Sequence, residues 1–128
     1  MSLPTAPSVP DDAVVVSVPA EAAHFRVLRL TAAVVAGDLL DVGSVEDAQI
    51  GVEEAASILL DATPTGRIEA AFWCEAGRLR VRMQGATRPV GDDPDDFRRT
   101  ILAAIVDDVE VVHDAASAVT TVRFDKQA

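Results

Sequence analysis

Cysteine is almost absent from this sequence, which has Cys74 as the only example among its 128 residues. One thiol cannot form a disulfide within the chain or supply a cysteine-based zinc site, so we expect a reducing, cytoplasmic location. Membrane-spanning runs are also missing, because the longest apolar stretch, residues 30–40, is interrupted by Gly37 and Asp38. No basic region precedes a hydrophobic block, so we expect neither a secretory signal nor a membrane partner.

Positive charge is scarce as well. The chain has 11 basic residues against 21 acidic ones, and its formal net charge is −10. Such an excess of carboxylates cannot neutralise a row of phosphates, so we expect no nucleic-acid partner. Asparagine does not occur at all. No position of the chain can therefore place an asparagine amide oxygen on a metal ion.

What the sequence does contain fits one folded domain. A chain of 128 residues can bury one core, and 49% of its residues are hydrophobic. Residues 1–12 hold three prolines and two adjacent acids without any periodicity. We therefore predict a disordered N-terminal tail over residues 1–12 and a single domain over residues 13–128.

Apolar residues at helical spacing predict three helices. The first covers residues 19–40, and the second covers residues 44–62 with Ser44 as its N-cap. The third begins at Pro94, a residue that suits the first position of a helix. Its predicted core residues include Phe97.

Alternating and β-branched stretches predict strands at residues 13–18, 109–113 and 120–126, and a hairpin within residues 67–85. The resulting order is β-α-α-β-β-α-β-β, without a regular βαβ repeat. This order predicts an α+β fold, a two-layer α/β sandwich in which a mostly antiparallel mixed sheet carries the helices on one face.

The hairpin is expected to turn at Ala76-Gly77, which pairs Glu75 with Arg78. Alternation then places Cys74 on the buried face, as a small hydrophobic residue. The opposite face is expected to be solvated, with its charges neutralised across the strands. It carries the arginine row Arg78, Arg80 and Arg82.

The first predicted helix carries two apolar stripes. One includes Phe25 and Leu28, and a second, formed by Val27, Leu30 and Val34, lies beside it. A helix that is apolar around most of its girth is buried on two sides. The second stripe has two interpretations. It contacts another protein, which includes a second copy of the chain, or the chain's own core encloses the helix on both sides.

Three stretches in this order carry a family resemblance: VPAEAAHFRVLRLTAAVVA, VEDAQIGVEEAASILLDA, and TILAAIVDDVEVVHD with TTVRFDKQA. They resemble the small anti-sigma factors of the RsbW and SpoIIAB type, in particular the actinobacterial branch that includes UsfX. These proteins belong to the histidine-kinase-like ATPase (GHKL) superfamily. The resemblance covers roughly residues 13–126.

The resemblance implies a fold and an activity. It implies the Bergerat, or histidine-kinase-like ATPase, fold and a homodimer that sequesters a sigma factor in transcription regulation and stress response. Many members also bind Mg–ATP and phosphorylate a serine of an antagonist protein. In the family's N box, a glutamate activates the attacking group and an asparagine one helical turn later helps to hold Mg²⁺.

The nucleotide motifs of the family are degenerate in this chain. Glu54 matches the N-box glutamate, but Ile58 stands where the asparagine belongs. Gly85 stands at the position of the aspartate that reads adenine, and the glycine turn of the lid is replaced by residues 96–98. Besides Glu54, only the Thr120-Thr121 pair matches a nucleotide-binding position. Glu54 is therefore expected to be vestigial, on the outer side of a helix.

The partner-binding half of the family pattern is better preserved. Arg29 matches an arginine of the first helix that contacts protein partners, and Leu30 and Val34 of the second stripe lie beside it. Alternatively, Arg29 reaches water from a core helix without contacting any partner.

These observations favour a cytoplasmic, dimeric anti-sigma-factor-like regulator without a cofactor, which binds a sigma factor or its antagonist. Two alternatives stay open. One is a divergent serine kinase that uses Mg–ATP on an anti-anti-sigma protein. The other is a non-catalytic scaffold of the same fold.

Overall fold

The structure, a computed structural model, describes residues 9–62, 66–86 and 96–127. The predicted order of strands and helices is confirmed. The elements are β1 (Val14–Pro19), a 3-10 turn (Ala22–His24), α1 (Phe25–Ala36), α2 (Val42–Ala62), β2 (Arg67–Glu75), β3 (Arg78–Ala86), α3 (Asp96–Ile105), β4 (Asp107–Asp114) and β5 (Val119–Gln127).

The five strands form one sheet in the order β1-β2-β3-β5-β4, and each neighbouring pair is antiparallel. The predicted α+β class is confirmed, but the predicted mixture of parallel and antiparallel pairs is wrong for the described strands. The reason lies in the crossover through α3. It joins β3 to β4, which run in the same direction, but β5 lies between them and pairs with both.

The helices pack beside one another with α2 in the middle. α1 contacts β1 and β2, α2 contacts β3 and β5, and α3 contacts β4. This arrangement is compatible with a two-layer sandwich. Side chains from both layers fill one core, whose largest fully buried members include Leu28, Leu59, Phe72, Val81 and Phe124.

The hairpin register is confirmed. Glu75 pairs with Arg78 and Cys74 pairs with Leu79, as the predicted turn requires. Ala76 and Gly77 have φ angles of 54° and 74°. Two successive positive φ angles are typical of the two-residue turn whose twist matches that of the flanking strands.

Gly51 allows the central helix to approach the sheet closely. A Cβ atom at this position would lie 2.7 Å from Cγ1 of Val106 and 3.3 Å from Cζ of Phe124. Real Cβ atoms do not reach the shorter distance, so a larger residue would push α2 away from β5. Because Gly51 has no side chain, the helix layer can approach the sheet closely at this point.

Two predicted helix boundaries are corrected. The first helix was predicted over residues 19–40, but Pro19 still belongs to β1 and α1 begins only at Phe25. The N-cap of α2 is Asp41 and not Ser44, because Oδ1 of Asp41 accepts a hydrogen bond from the backbone N–H of Ser44 at 2.8 Å. Aspartate is as good a cap as serine, and it comes first along the chain.

Two predictions of burial are wrong. Cys74 is exposed, although its thiol does point toward the helices and donates to the carbonyl of Val35 at 3.4 Å. It lies near the end of α1, where the helical cover of β2 stops. Phe97 is 75% exposed. The face of α3 that packs against α2 is the one that carries Arg98 and Leu102, and Phe97 does not lie on it.

Candidate functional site

Glu54, the residue at the family's catalytic-base position, lies on the side of α2 that faces α3. Its Oε2 atom is 3.4 Å from Nη1 of Arg98. The same guanidinium places its Nε atom 3.2 Å from Oδ2 of Asp61, two helical turns further along α2. Arg98 therefore joins two carboxylates of one helix, and Glu54 is part of an ion-pair network between α2 and α3.

This network bears on catalysis. A general base needs a free carboxylate oxygen within hydrogen-bonding reach of the proton that it removes. Oε2 of Glu54 has the Arg98 guanidinium as its neighbour, so one of its two carboxylate oxygens is engaged in this contact. The contact gives Glu54 a role in joining α2 to α3 that needs no nucleotide. The pair is not visible in the sequence because its two members lie 44 residues apart.

Ile58 occupies the position one helical turn after Glu54. It is 3% exposed and belongs to the hydrophobic core. Asp47 of α2 contacts Lys126, and Gly51 packs against Phe124, so α2 and β5 run in opposite directions. The seven residues from Gly51 to Ile58 advance about 10 Å, the length of about three strand residues. Ile58 thus lies level with the threonine end of β5.

The chemistry of this position does not fit a magnesium ion. Mg²⁺ is held by oxygen ligands, and the buried hydrocarbon of Ile58 supplies none. Within the described ranges, no group of three or more histidine, cysteine, aspartate or glutamate side chains could hold a metal ion. We therefore derive no catalytic step through Mg–ATP in this chain.

The threonine pair is divided between the two faces of the sheet. Thr120 is buried, and its Oγ1 atom is 2.8 Å from Nδ1 of His113 on the neighbouring strand. Thr121, the next residue of the strand, points to the opposite face. Only Thr120 can therefore face the helices. Gly85, at the family's aspartate position, pairs with Thr120 and is buried on β3.

The remaining family positions cannot be placed in the same way. Residues 87–95, which would begin the lid, lie outside the described residues, and so does the predicted helix start at Pro94. The substituted glycine turn, residues 96–98, forms the first turn of α3. Arg98 is used in the pair with Glu54.

The second stripe of α1 faces solvent. Leu30 is 60% exposed and Val34 is 82% exposed, and Val27 on the preceding turn is also exposed. The chain's own core therefore does not enclose this side of the helix. Of the two interpretations of the stripe, the helix enclosed in a single core is excluded.

Arg29, the sequence neighbour of Leu30, connects α1 to α2. Its Nη1 atom is 3.5 Å from Oε1 of Glu53, and its backbone carbonyl accepts a hydrogen bond from Nε2 of Gln49 at 3.3 Å. Both charged side chains are partly exposed. An ion pair at a surface contributes only about 0–1 kcal/mol to stability. Stabilisation of the fold alone therefore does not account for the Arg29–Glu53 pair.

One exposed apolar residue of α2 was not predicted. Ile50 of α2 is exposed, and it lies outside the buried stripe of that helix. Its neighbours in sequence, Gln49 and Glu53, are the residues that contact Arg29. Ile50 lies between the exposed acids Glu46 and Glu53, and it does not fit the spacing of the buried residues of α2. This mismatch is the sequence signal that could have revealed its exposure. We call the set Val27, Leu30, Val34 and Ile50 the helix-layer patch.

The sequence matches no protein-family model, and no curated protein matches it either. Among the described residues, no helix combines the length and the apolar character that crossing a membrane would require.

Proposed function

We propose that this chain is an anti-sigma-factor-like regulator that acts by binding a protein partner, a sigma factor or its antagonist, through the helix-layer patch. The observation that carries the proposal is the exposure of Leu30 and Val34, at 60% and 82%, on the helix that also carries the Arg29–Glu53 pair. In the family that the sequence resembles, the first helix and its arginine contact protein partners. The fold is proposed to be a histidine-kinase-like ATPase domain.

The energetics of the patch suit protein recognition. Burying a leucine or valine side chain completely contributes about 1.5–3 kcal/mol, so two such residues supply a large share of a micromolar affinity. Exposed apolar side chains surrounded by polar ones mark protein interaction sites. The acids Glu46 and Glu53 lie around the patch, and the net charge of the chain is −10. This charge would speed the approach of a basic partner helix.

The kinase alternative is disfavoured by the surroundings of Glu54. Its carboxylate is paired with Arg98, and Ile58 offers no oxygen to a metal. Sequestration requires neither of these groups. We propose that the nucleotide site is non-functional and that regulation occurs by binding alone, in a cytoplasmic homodimer, as the family resemblance implies.

A capture experiment tests this function. The purified sigma factors of the source genome are each mixed with the chain, and binding is measured by isothermal calorimetry. We expect one of them to bind, and we expect Leu30→Asp/Val34→Asp to weaken that binding by about 100-fold or more, since two apolar contacts are lost and two charges are buried.

Phe97→Asp is the matched control, because Phe97 is equally exposed but lies on α3, at the helix start where aspartate is tolerated. It should leave binding unchanged. Absence of binding to every sigma factor and antagonist tested would refute the function. Transfer of labelled phosphate from ATP to a serine of the antagonist would support the kinase instead.

A further inference from the structure

The sheet has a second surface on the side opposite the helices, which we call the outer sheet face. It is polar and rich in arginine. Strand alternation and register place on it Glu69, Ala71, Trp73 and Glu75 from β2, Arg78, Arg80, Arg82 and Gln84 from β3, and Thr121, Arg123 and Asp125 from β5.

Two of the four arginines on this face have carboxylate partners. Nη1 of Arg78 lies 2.8 Å from Oδ2 of Asp108 and 3.5 Å from Oδ2 of Asp125. Nη2 of Arg123 lies 3.2 Å from Oε1 of Glu110. Of the predicted row Arg78, Arg80 and Arg82, neutralisation across strands is confirmed for Arg78.

Arg80 and Arg82 differ from the other two. Within the described part of the chain, neither forms an ion pair, and the Nε atoms of both are buried without a hydrogen-bond partner. The acids nearest to them contact other groups. Glu69 accepts from Gln84, and Glu75 accepts from the Trp73 indole. Asp125, which stands opposite Arg80, contacts Arg78 instead. A buried donor without an acceptor is costly and rare in native proteins.

The sheet register also brings like charges together. Arg82 stands directly opposite Arg123, and Arg80 precedes Arg82 by two residues on the same face. Neighbouring strands lie about 4.8 Å apart, and alternate residues of one strand lie about 6.6–7 Å apart. Like charges directly opposite each other destabilise a sheet. Carboxylates share this face with the arginines, and Asp125 stands directly opposite Arg80. The acids of the face contact other groups, so Arg80 and Arg82 have no carboxylate within ion-pair distance among the described residues.

The surface beside these arginines is shaped as well as charged. A shallow depression of about 90 Å³ is lined by Val9, Glu69, Ala71, Arg82 and Gln84. Trp73, which pairs with Arg80 across the hairpin, is only 7% exposed. Arg82 thus lines the depression directly, and Arg80 lies two residues before it on the same face of β3.

We propose that Arg80 and Arg82 bind an acidic segment of a second protein in an extended conformation. Alternate side chains of an extended segment lie about 6.6–7 Å apart on one side, so carboxylates at positions i and i+2 match the spacing of the two arginines. The planar guanidinium group binds carboxylates with two parallel hydrogen bonds. The overall negative charge disfavours a nucleic acid on this face. This site lies opposite the helix-layer patch and does not depend on it.

A peptide titration of the full chain tests the proposal. The probe is a ten-residue peptide of alternating aspartate and threonine, and the control peptide has asparagine in place of aspartate. Trp73 is the only tryptophan of the chain, so its emission reports directly from this face. We expect the aspartate peptide to change the emission with saturation and the asparagine peptide to leave it unchanged.

Variants connect the signal to the two arginines. Arg80→Gln/Arg82→Gln should weaken peptide binding, measured by calorimetry, about tenfold or more, the effect of losing two exposed ion pairs. Arg26→Gln, an exposed arginine of α1, is the matched control and should not change it. The thermal midpoint of the double variant should not fall, because the substitutions relieve repulsion. Leu30→Asp/Val34→Asp should also leave peptide binding intact, which separates this proposal from the proposed function.

Three outcomes would overturn the proposal. The aspartate peptide could leave Trp73 emission unchanged at millimolar concentration. Inorganic phosphate at the same concentration could produce the same change, which would show a generic anion site. Sedimentation could show a homodimer that Arg80→Gln/Arg82→Gln dissociates, and the occupant would then be a second copy of the chain.

Discussion

Nη1 of Arg98 lies 3.4 Å from Oε2 of Glu54, so α3 supplies a cation to the carboxylate that matches the base position of the family that the sequence resembles. The two residues belong to helices that pack against each other, and Asp61 completes the network at 3.2 Å from the same guanidinium. An acid at a family's catalytic position can thus be held for structural reasons.

The first prediction concerns nucleotide binding. We expect a thermal melt in saturating Mg–ATP to shift the midpoint by less than about 1 °C. A ligand present at 100 times its Kd adds about 2.7 kcal/mol to the free energy of unfolding, which would shift the midpoint of a domain of this size by roughly 5 °C or more. A shift of that size would show that the positions Ile58 and Gly85 do not prevent ATP binding. Lysozyme melted in the same buffers controls for non-specific effects.

The second prediction concerns Glu54 itself. Glu54→Gln removes the charge that Arg98 faces, and since the pair is partly exposed we expect a loss of no more than about 1 kcal/mol in the free energy of unfolding. Partner binding through the helix-layer patch should be unchanged in calorimetry. Abolished binding or abolished phosphate transfer would instead give Glu54 a functional role.

The third prediction uses two glycines of α2 as a matched pair. Gly51→Ala should destabilise the protein by about 1–3 kcal/mol, because its Cβ atom would lie 2.7 Å from Val106. Gly43→Ala should stabilise it by up to about 1 kcal/mol, because its Cβ atom would meet only Oδ1 of Asp41, at an ordinary 3.7 Å, and alanine favours the helix. Urea unfolding measures both, and equal effects at the two sites would contradict the close approach of α2 to β5.

The fourth prediction is a pH dependence at the start of α2. The hydrogen bond from the Ser44 backbone lowers the pKa of Asp41 below its usual value. A lowered pKa in the folded state means that the cap stabilises the protein above about pH 4 and that this contribution is lost as the pH falls through the folded pKa. Asp41→Ala should therefore lower the thermal midpoint by a few degrees at pH 7 and much less at pH 2.

Serine is also a good N-cap, so Asp41→Ser is the control and should restore most of the midpoint at pH 7. The serine variant should not show the acid-dependent loss, because its hydroxyl does not titrate in this range. A constant difference between Asp41→Ala and the parent protein from pH 7 to pH 2 would contradict the role of the carboxylate.

Local sequence patterns predicted much of the fold. The order of elements and the register at Glu75 and Arg78 follow from periodicity and from a turn that needs positive φ angles, and both are properties of neighbouring residues. The errors arose where burial depends on elements that are distant in the sequence. The alternation along β2 correctly predicted that Cys74 points toward the helices. The alternation could not predict that α1 ends beside Cys74 and leaves this residue exposed.

The candidate sites likewise combine features that local sequence patterns predict with features that depend on tertiary contacts. The stripe of Leu30 and Val34 was visible from its spacing, but its exposure depends on where the chain places its own core. The pairing of Glu54 with Arg98 and the isolation of Arg80 depend on tertiary contacts and on sheet order. No pattern within one element reports such contacts.

The position of β1 at the edge of the sheet has a consequence for the folding order. Val18 pairs with Ile68, and the whole of α1 and α2 lies between them in the chain. Closing so long a loop costs entropy before any hydrogen bond of β1 forms, whereas the two hairpins close over short turns. The N-terminal strand therefore joins last and opens first, and its backbone amides should be the first of the five strands to exchange with deuterium.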